Sequence, residues 1–223
     1  MGTRMIDFQL IADSLPYLGR GILITLQISA IACAMGLLIG TVCGLILSSK
    51  NLLLRSIVTF YTTIFRGTPM LIQIVFAALV LPTLGIALPT LWAVIIAIGL
   101  NSGAYITYIV LSGIKSVSVG QREAGKTLGM NSMQIIRYIV LPQAFRVVLP
   151  ALGNEFITLI KDSSLASIVG VQELTKEGEM IMGRTYEYLT MYIAIASCYL
   201  IITGALSLIV SRIEQRMGTD ARH

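Results

Sequence analysis

The sequence predicts an all-α integral membrane protein: a bundle of five transmembrane helices forming a single domain over residues 1–223. Three observations carry that reading. Of the 223 residues 56% are hydrophobic and only 12% are charged, about half the charged share of an ordinary soluble domain. The apolar residues gather into runs long enough to cross a hydrocarbon core about 30 Å thick, which takes about 20 residues of helix. In lipid a helix also satisfies its own backbone polar groups, which an open strand does not. The composition therefore excludes a soluble enzyme, a disordered tail and a fibrous protein.

Five runs qualify, over residues 21–47, 52–81, 89–114, 147–171 and 188–211. In the first, Gly36, Gly40 and Gly44 recur every fourth residue behind Ala32, a stripe of small residues that permits close helix contact within or between subunits. Arg66-Gly67-Thr68-Pro69 interrupts the second, which predicts a kinked or discontinuous span. There Pro69 frees a backbone carbonyl and Thr68 adds a hydroxyl, both candidate ligand contacts. Asn101 sits mid-span in the third, where its amide needs a buried partner. Ligand binding and helix packing would each supply one.

The fourth run is the most informative. At 100° per residue, Asn154, Glu155, Thr158, Lys161, Asp162 and Leu165 fall within an arc of about 120°. Glu155 and Asp162 lie about 12 Å and 22 Å from the Val147 end, bracketing the middle of the bilayer. Ionisable groups at that depth must face protein or water. Neither Glu155 with Lys161 nor Lys161 with Asp162 has the i,i+4 spacing of an intrahelical ion pair, so each needs a partner from elsewhere. A free amino acid offers one carboxylate, suited to Lys161, and one ammonium, suited to Glu155 or Asp162. The remaining carboxylate would favour a cationic side chain or accept from an amide such as that of glutamine. Glu155, Asp162, Lys161, Asn101, Thr68 and Thr158 are thus the candidate substrate-binding residues. The alternative is that the charged members tie neighbouring spans together.

Charge sets the orientation. The chain has 16 Lys+Arg against 11 Asp+Glu, and such an excess in a membrane protein belongs to cytoplasmic loops rather than to a nucleic-acid site. Lys50, Arg55, Lys115, Arg122, Lys126, Arg137, Arg146, Arg212, Arg216 and Arg222 share one side; Arg4, Arg20, Lys176 and Arg184 share the other. The richer side is cytoplasmic, which puts the N-terminus outside and the C-terminus inside. The cytoplasmic segment 115–146 is basic, with apolar Leu128, Ile135, Ile136, Ile139 and Val140. It predicts one or two short helices lying against the membrane, available to a cytoplasmic partner; the plainer alternative is a connector covering the bundle.

No catalytic residue and no metal site is expected. Cys33, Cys43 and Cys198 lie inside apolar runs without a CxxC spacing, where a thiol behaves as a small hydrophobe. The single histidine is the terminal His223. The N-terminal stretch lacks a signal-peptide plan. Gly120 to Thr127 does match G-x-x-x-x-G-K-[ST], but a nucleotide-binding loop needs a strand before it, a helix after it and a sheet to hold both. About 30 residues between two spans do not supply them, so the match is read as chance.

The same residues fit another pattern. Glu123-Ala124-Gly125, then Gly129, Ile139 and Leu141-Pro142 keep the full spacing of the cytoplasmic loop signature of permease subunits in ATP-binding-cassette importers. That signature reads Glu-Ala-Ala, three residues, Gly, nine residues, Ile, one residue, Leu-Pro; Gly125 in place of the third Ala is the sole departure. Arg66-Gly67-Thr68-Pro69, Asn101-Ser102-Gly103-Ala104-Tyr105 and Lys161-Asp162-Ser163-Ser164-Leu165 resemble recurrent blocks of the polar-amino-acid permeases.

The resemblance implies a type I importer permease fold in the bacterial inner membrane, moving glutamine or a basic amino acid by alternating access, with no enzymatic activity of its own. It implies a second permease subunit, identical or not, and an extracytoplasmic solute-binding protein, for which 173–184 is a candidate contact. It further implies two cytoplasmic ATP-binding subunits that hold ATP and Mg, leaving this chain without a cofactor. Glu123, Ala124, Gly125, Gly129, Leu141 and Pro142 would then couple to those ATPases, with Arg122, Lys126 and Arg137 facing acidic residues of the partner or anionic headgroups. A membrane-embedded nucleotide-hydrolysing enzyme using Gly120–Thr127 and an energy-independent amino-acid channel are the rivals; neither accounts for the Glu123–Pro142 spacing.

Overall fold

Hydrophobic runs, caps and two proline breaks divide the chain into eight helices, seen in a computed structural model that describes residues 6–217. Arg4, Arg222 and His223, used in the arguments above, lie outside the described residues. In chain order the helices are α1 Phe8–Ser48, α2 Leu52–Gly67, α3 Met70–Thr83, α4 Thr90–Ser116, α5 Val119–Thr127, α6 Ser132–Val169, α7 Leu174–Thr185 and α8 Tyr188–Met217. Four of these (α1, α4, α6 and α8) are long and apolar enough to cross a membrane alone. The pair α2 and α3, bent by 103° at their junction, supplies a fifth crossing when counted as one broken span.

Two helices run well beyond the predicted boundaries. Instead of starting at residue 21, α1 starts at Phe8, where the Asp7 side chain accepts from the backbone N–H groups of Gln9 and Leu10, both at 3.0 Å. Its 41 residues make it about 60 Å long, twice the hydrocarbon thickness. Hydropathy marks where the bilayer ends, not where the helix ends: the protruding part continues because Leu18 packs with Leu174, Met182, Met191, Ala194 and Ile195 of α7 and α8.

The second departure is the start of the fourth span, expected at 147 behind a cytoplasmic segment 115–146 of short helices. Here α6 runs unbroken from Ser132, started by a reciprocal cap between Asn131 and Gln134. Pro142 lacks the N–H that would bond four residues back. A single wide turn over Ile136–Val140 lets the helix absorb that loss instead of ending. The same device recurs in α3, where a wide turn over Phe76–Val80 precedes Leu81-Pro82.

The core lies where α1, α4 and α6 meet, around Ile28, Ala32, Val94, Ile95, Ile98, Leu159 and Ala166. The glycine stripe of α1 faces α4 of the same chain, which decides between the two packing roles left open. A Cβ added at Gly40 would come within 2.6 Å of Ile106 and 2.9 Å of the Gly103 carbonyl, and one at Gly44 within 2.8 Å of Val110.

Outside this core, α7 is pinned by its own N-cap. The fully buried Glu173 accepts from Tyr199 Oη of α8 at 2.8 Å, Thr25 Oγ1 of α1 at 3.3 Å and the Lys176 N–H at 2.9 Å. One carboxylate thereby joins α1, α7 and α8. Burial raises the Glu173 carboxyl above its ordinary range, while these hydrogen bonds pull it down.

Two outcomes follow from the packing. Gly40→Val is expected to destabilise the detergent-solubilised protein by about 1–3 kcal/mol through overpacking. Gly19→Ala, whose added Cβ meets nothing within 4 Å, should leave thermal unfolding unchanged or slightly later. For Glu173, a folded pKa above the unfolded one means a contribution that is complete below 4.5 and lost as pH rises through the folded value. As pH rises above 4.5, wild type should therefore lose stability relative to Glu173→Gln; parallel pH profiles would show that Glu173 is not the group responsible.

Candidate functional site

The break between α2 and α3 creates the site. Thr68 precedes a proline and is pushed to an extended backbone, φ −120° and ψ 145°, and Pro69 follows at φ −63° and ψ 137°. The carbonyl that Pro69 strands is that of Phe65, four residues back. It is not left open to a ligand, contrary to the sequence reading. Gln73 Nε2 donates to it at 2.9 Å and Asn101 Nδ2 at 3.0 Å. Gln73 Nε2 also reaches the Thr68 carbonyl at 3.1 Å and Thr68 Oγ1 at 2.8 Å, while Gln73 Oε1 accepts from Asn101 Nδ2 at 3.0 Å. The Asn101 amide therefore both packs helices and borders the site: its N–H groups are spent on the break, and its Oδ1 remains as an acceptor.

Beside this knot lies a cavity of about 470 Å³ walled by the α2–α3 junction, α4 and α6. It gathers Thr68, Asn101, Glu155, Thr158 and Asp162, five of the six residues proposed from sequence. Glu155, Thr158 and Asp162 sit at i, i+3 and i+7 and so share one face of α6. Ser102 Oγ donates to Glu155 Oε1 at 2.9 Å, and Gly36 of α1 makes room for that serine, since a Cβ there would lie 2.9 Å from Ser102 Oγ. Thr158 Oγ1 bonds back to the Asn154 carbonyl at 3.1 Å. Asp162 makes no side-chain hydrogen bond or close ion pair among the described residues.

Lys161 lies outside the cavity: it is exposed and turned about 100° from Asp162. The cation on the cavity wall is Arg66, whose guanidinium sits 4.3 Å from the Tyr108 ring and 5.3 Å from that of Tyr105, within the range of a cation–π contact. Two carboxylates, one guanidinium, an amide oxygen and hydroxyls thus converge on a space the size of a small ligand.

At the far end of α4, α5 forms a second constellation. Gly129 takes φ 78° and closes the helix, its N–H donating to the Lys126 carbonyl at 2.9 Å and that of Met130 to Gly125 at 3.0 Å. Gly125 is buried against α6, where an added Cβ would lie 2.8 Å from Ile139 Cδ1 and 3.1 Å from Ile135 Cγ1. The nine-residue gap of the signature therefore brings Ile139 back beneath Gly125. Glu123, Ala124 and Leu128 remain exposed on the outer face of α5, and Leu141 and Pro142 on α6. Arg122 is turned inward instead, Nη2 donating to the Ile114 carbonyl at 2.5 Å, where a cation suits the C-terminal end of α4. Lys126 and Arg137 stay exposed. Gly120 to Thr127 is helix rather than a phosphate-cradling loop.

The pattern of the family described as "Binding-protein-dependent transport system inner membrane component" matches residues 36–219. The chain belongs to this family. It is 38% identical over 213 residues to the glutamine transport system permease protein GlnP of Escherichia coli (strain K12), covering 95% of this chain and 97% of that protein. It is 32% identical over 216 residues to the arginine transport system permease protein ArtQ of Bacillus subtilis (strain 168), covering 96% and 99%. Among solved structures, one described as an amino acid ABC transporter with histidines superposes with a TM-score of 0.90 at 34% identity, covering 95% of this chain and 99% of that one. An inward-facing MetNI methionine transporter superposes at 0.76 and 23% identity, covering 90% and 96%, which speaks for the fold alone.

The chain is thus a multi-pass permease subunit of the type I importer fold, a transport component rather than an enzyme. Among the described residues no group of His, Cys, Asp or Glu is arranged to hold a metal. Sequence reasoning passed over Gln73, the fourth residue after Pro69 and a lone amide inside an apolar run; that isolation was the available signal. It also left Arg66 without its tyrosines, because residues 39 and 42 positions apart meet only through the fold. Gly125 has its own test. Gly125→Leu should lift α5 from Ile135 and Ile139 and lower solute-stimulated ATP hydrolysis in the assembled transporter by about tenfold or more, with the long helices intact by circular dichroism. Unchanged stimulation would show that this seat does not carry the coupling.

Proposed function

We propose that this permease imports a polar amino acid, a basic one or glutamine, across the bacterial inner membrane by alternating access, as one domain with its N-terminus outside and its C-terminus cytoplasmic. The observation that carries the reading is the cavity at the α2–α3 break, with Glu155 and Asp162 on one wall and Arg66 on another. A basic amino acid carries one carboxylate and two cations, the complement of one guanidinium and two carboxylates. Arg66 would take the substrate carboxylate, and Glu155 and Asp162 the α-ammonium and the side-chain cation. Thr68, Thr158 and Asn101 Oδ1 would supply the remaining hydrogen bonds, while Lys161 is left outside the contact set. The glutamine relative in Escherichia coli supports the second substrate, whose side-chain amide would donate to one of the two acids.

Transport in this reading is driven from outside the chain. Two cytoplasmic ATP-binding subunits, holding ATP and Mg, dock on the exposed face of Glu123, Ala124 and Leu128. A second permease subunit completes the translocation path, and an extracytoplasmic binding protein delivers the solute. ATP-driven closure of the ATPases moves α5, and the clasp of Arg122 on Ile114 passes that motion to α4, which bears Asn101 and Ser102.

The test is uptake by the complete transporter reconstituted in vesicles. Glu155→Gln and Asp162→Asn should each lower L-arginine uptake by about tenfold or more, the worth of one charge-assisted hydrogen bond, while nucleotide binding by the ATPases is unchanged. Uptake of L-arginine and L-glutamine that ignores both substitutions would move the substrate site elsewhere.

A further inference from the structure

The acid Glu177 has no role in either constellation above. It lies on α7, four residues after Glu173, and is 6% exposed. Glu173 is satisfied by Tyr199, Thr25 and a backbone N–H. The Glu177 carboxylate, by contrast, has no hydrogen-bond or ion-pair partner among the described residues. The side chain is buried, but its carboxylate oxygens are not among the buried unsatisfied atoms, so the acid opens onto solvent and is free to take a ligand.

What faces it is a cavity of about 440 Å³, lined also by Arg20 of α1, Thr90 and Leu91 at the start of α4, Val169 at the end of α6 and Gln172 beyond it. Arg20 is exposed at its rim and is not ion-paired with Glu177. Glu177 also borders a smaller recess of about 240 Å³; Arg20 borders only the larger one.

Position along α4 relates this cavity to the other two sites. Leu91 is ten residues, about 15 Å, from Asn101 of the central cavity, and at the opposite end of α4 from Ile114, where α5 is clasped. The larger cavity is therefore on the side away from the coupling helix. One apolar cluster, built on Ile28, Val94, Ile98 and Ala166, packs against Ile24, Leu91 and Val169 of this cavity and against Met70 of the central one. The two polar spaces thus share a hydrophobic wall.

We propose that this outer cavity is a second, separate amino-acid site, a staging position in which Glu177 binds the ammonium or side-chain cation of the incoming solute and Arg20 its carboxylate. A solute held there waits behind the cluster until it parts. The proposal rests on reading the chain as an amino-acid permease, and its chemistry is that of a zwitterion or a basic amino acid, not of an anion.

Equilibrium dialysis with radiolabelled L-arginine on the complete transporter, without binding protein, tests it. Wild type should bind two arginines per permease chain. Glu177→Gln should remove one and leave one; Glu155→Gln should remove the other. Arg20→Gln, at an exposed rim position where folding is not at stake, should weaken the Glu177-dependent class about tenfold and spare the rest. One arginine per chain, abolished by Glu155→Gln and indifferent to Glu177→Gln and Arg20→Gln, overturns the outer site. Arginine binding untouched by Glu177→Gln, together with weakened docking when binding-protein affinity is measured separately, overturns it too, making Glu177 a protein contact. Loss with Glu177→Gln and none with Glu155→Gln would uphold the outer site and sink the central one instead.

Discussion

A carbonyl stranded in hydrocarbon costs several kcal/mol, and at the sharp bend of the broken span the carbonyl of Phe65, deprived of its donor by Pro69, has to be satisfied. Gln73 and Asn101 do so together, and much else follows from their union. The two amides hold a 103° bend open, fasten the broken span to α4 and bring Arg66 to the same cavity as Glu155 and Asp162. Without that double donation the break would be a defect facing lipid. With it, the break walls a polar chamber.

Proline plays two opposite parts in the same chain. At Pro69 the helix stops and turns. At Pro82 and Pro142 it continues, because a five-residue wide turn ending two residues before the proline relaxes the crowding that the ring creates. Pro142 therefore leaves α6 as one rod from the groove beneath α5 to the acids of the central cavity. Ile135 and Ile139 at one end of that rod receive Gly125, and Glu155 and Asp162 sit toward the other. A push on α5 is delivered to a continuous element, and the inward Arg122 ties the same push to α4.

The acids divide by partnership rather than by depth. Glu173 is enclosed and satisfied, and joins three helices. Glu155 keeps one serine and turns toward the chamber. Asp162 borders the same space without a side-chain hydrogen bond or close ion pair. Carboxylates that form no close ion pair with a fixed cation remain available to a mobile one, as a transporter that must release its cargo requires. Arg66 follows the same logic, resting on tyrosine faces that hold a guanidinium without neutralising it.

Much of this was legible in the residues. Apolar run length forecast the crossings, because hydrocarbon thickness sets helix length. Glu155, Thr158 and Asp162 were legible because i, i+3 and i+7 fall on one face whatever surrounds the helix, and Gly129 because few other residues end a helix with positive φ. Three-dimensional packing had to decide the rest. Lys161 shares the predicted arc with Asp162, yet an arc has no partner until neighbours are placed around it, and α4 and the α2–α3 junction cover only part of that face. Whether the glycine stripe served one chain or two, where α1 and α6 began, and which cation joined the acids all depended on contacts between residues tens to well over a hundred positions apart. Periodicity reports a helix's own symmetry; only packing selects which part of that symmetry is used.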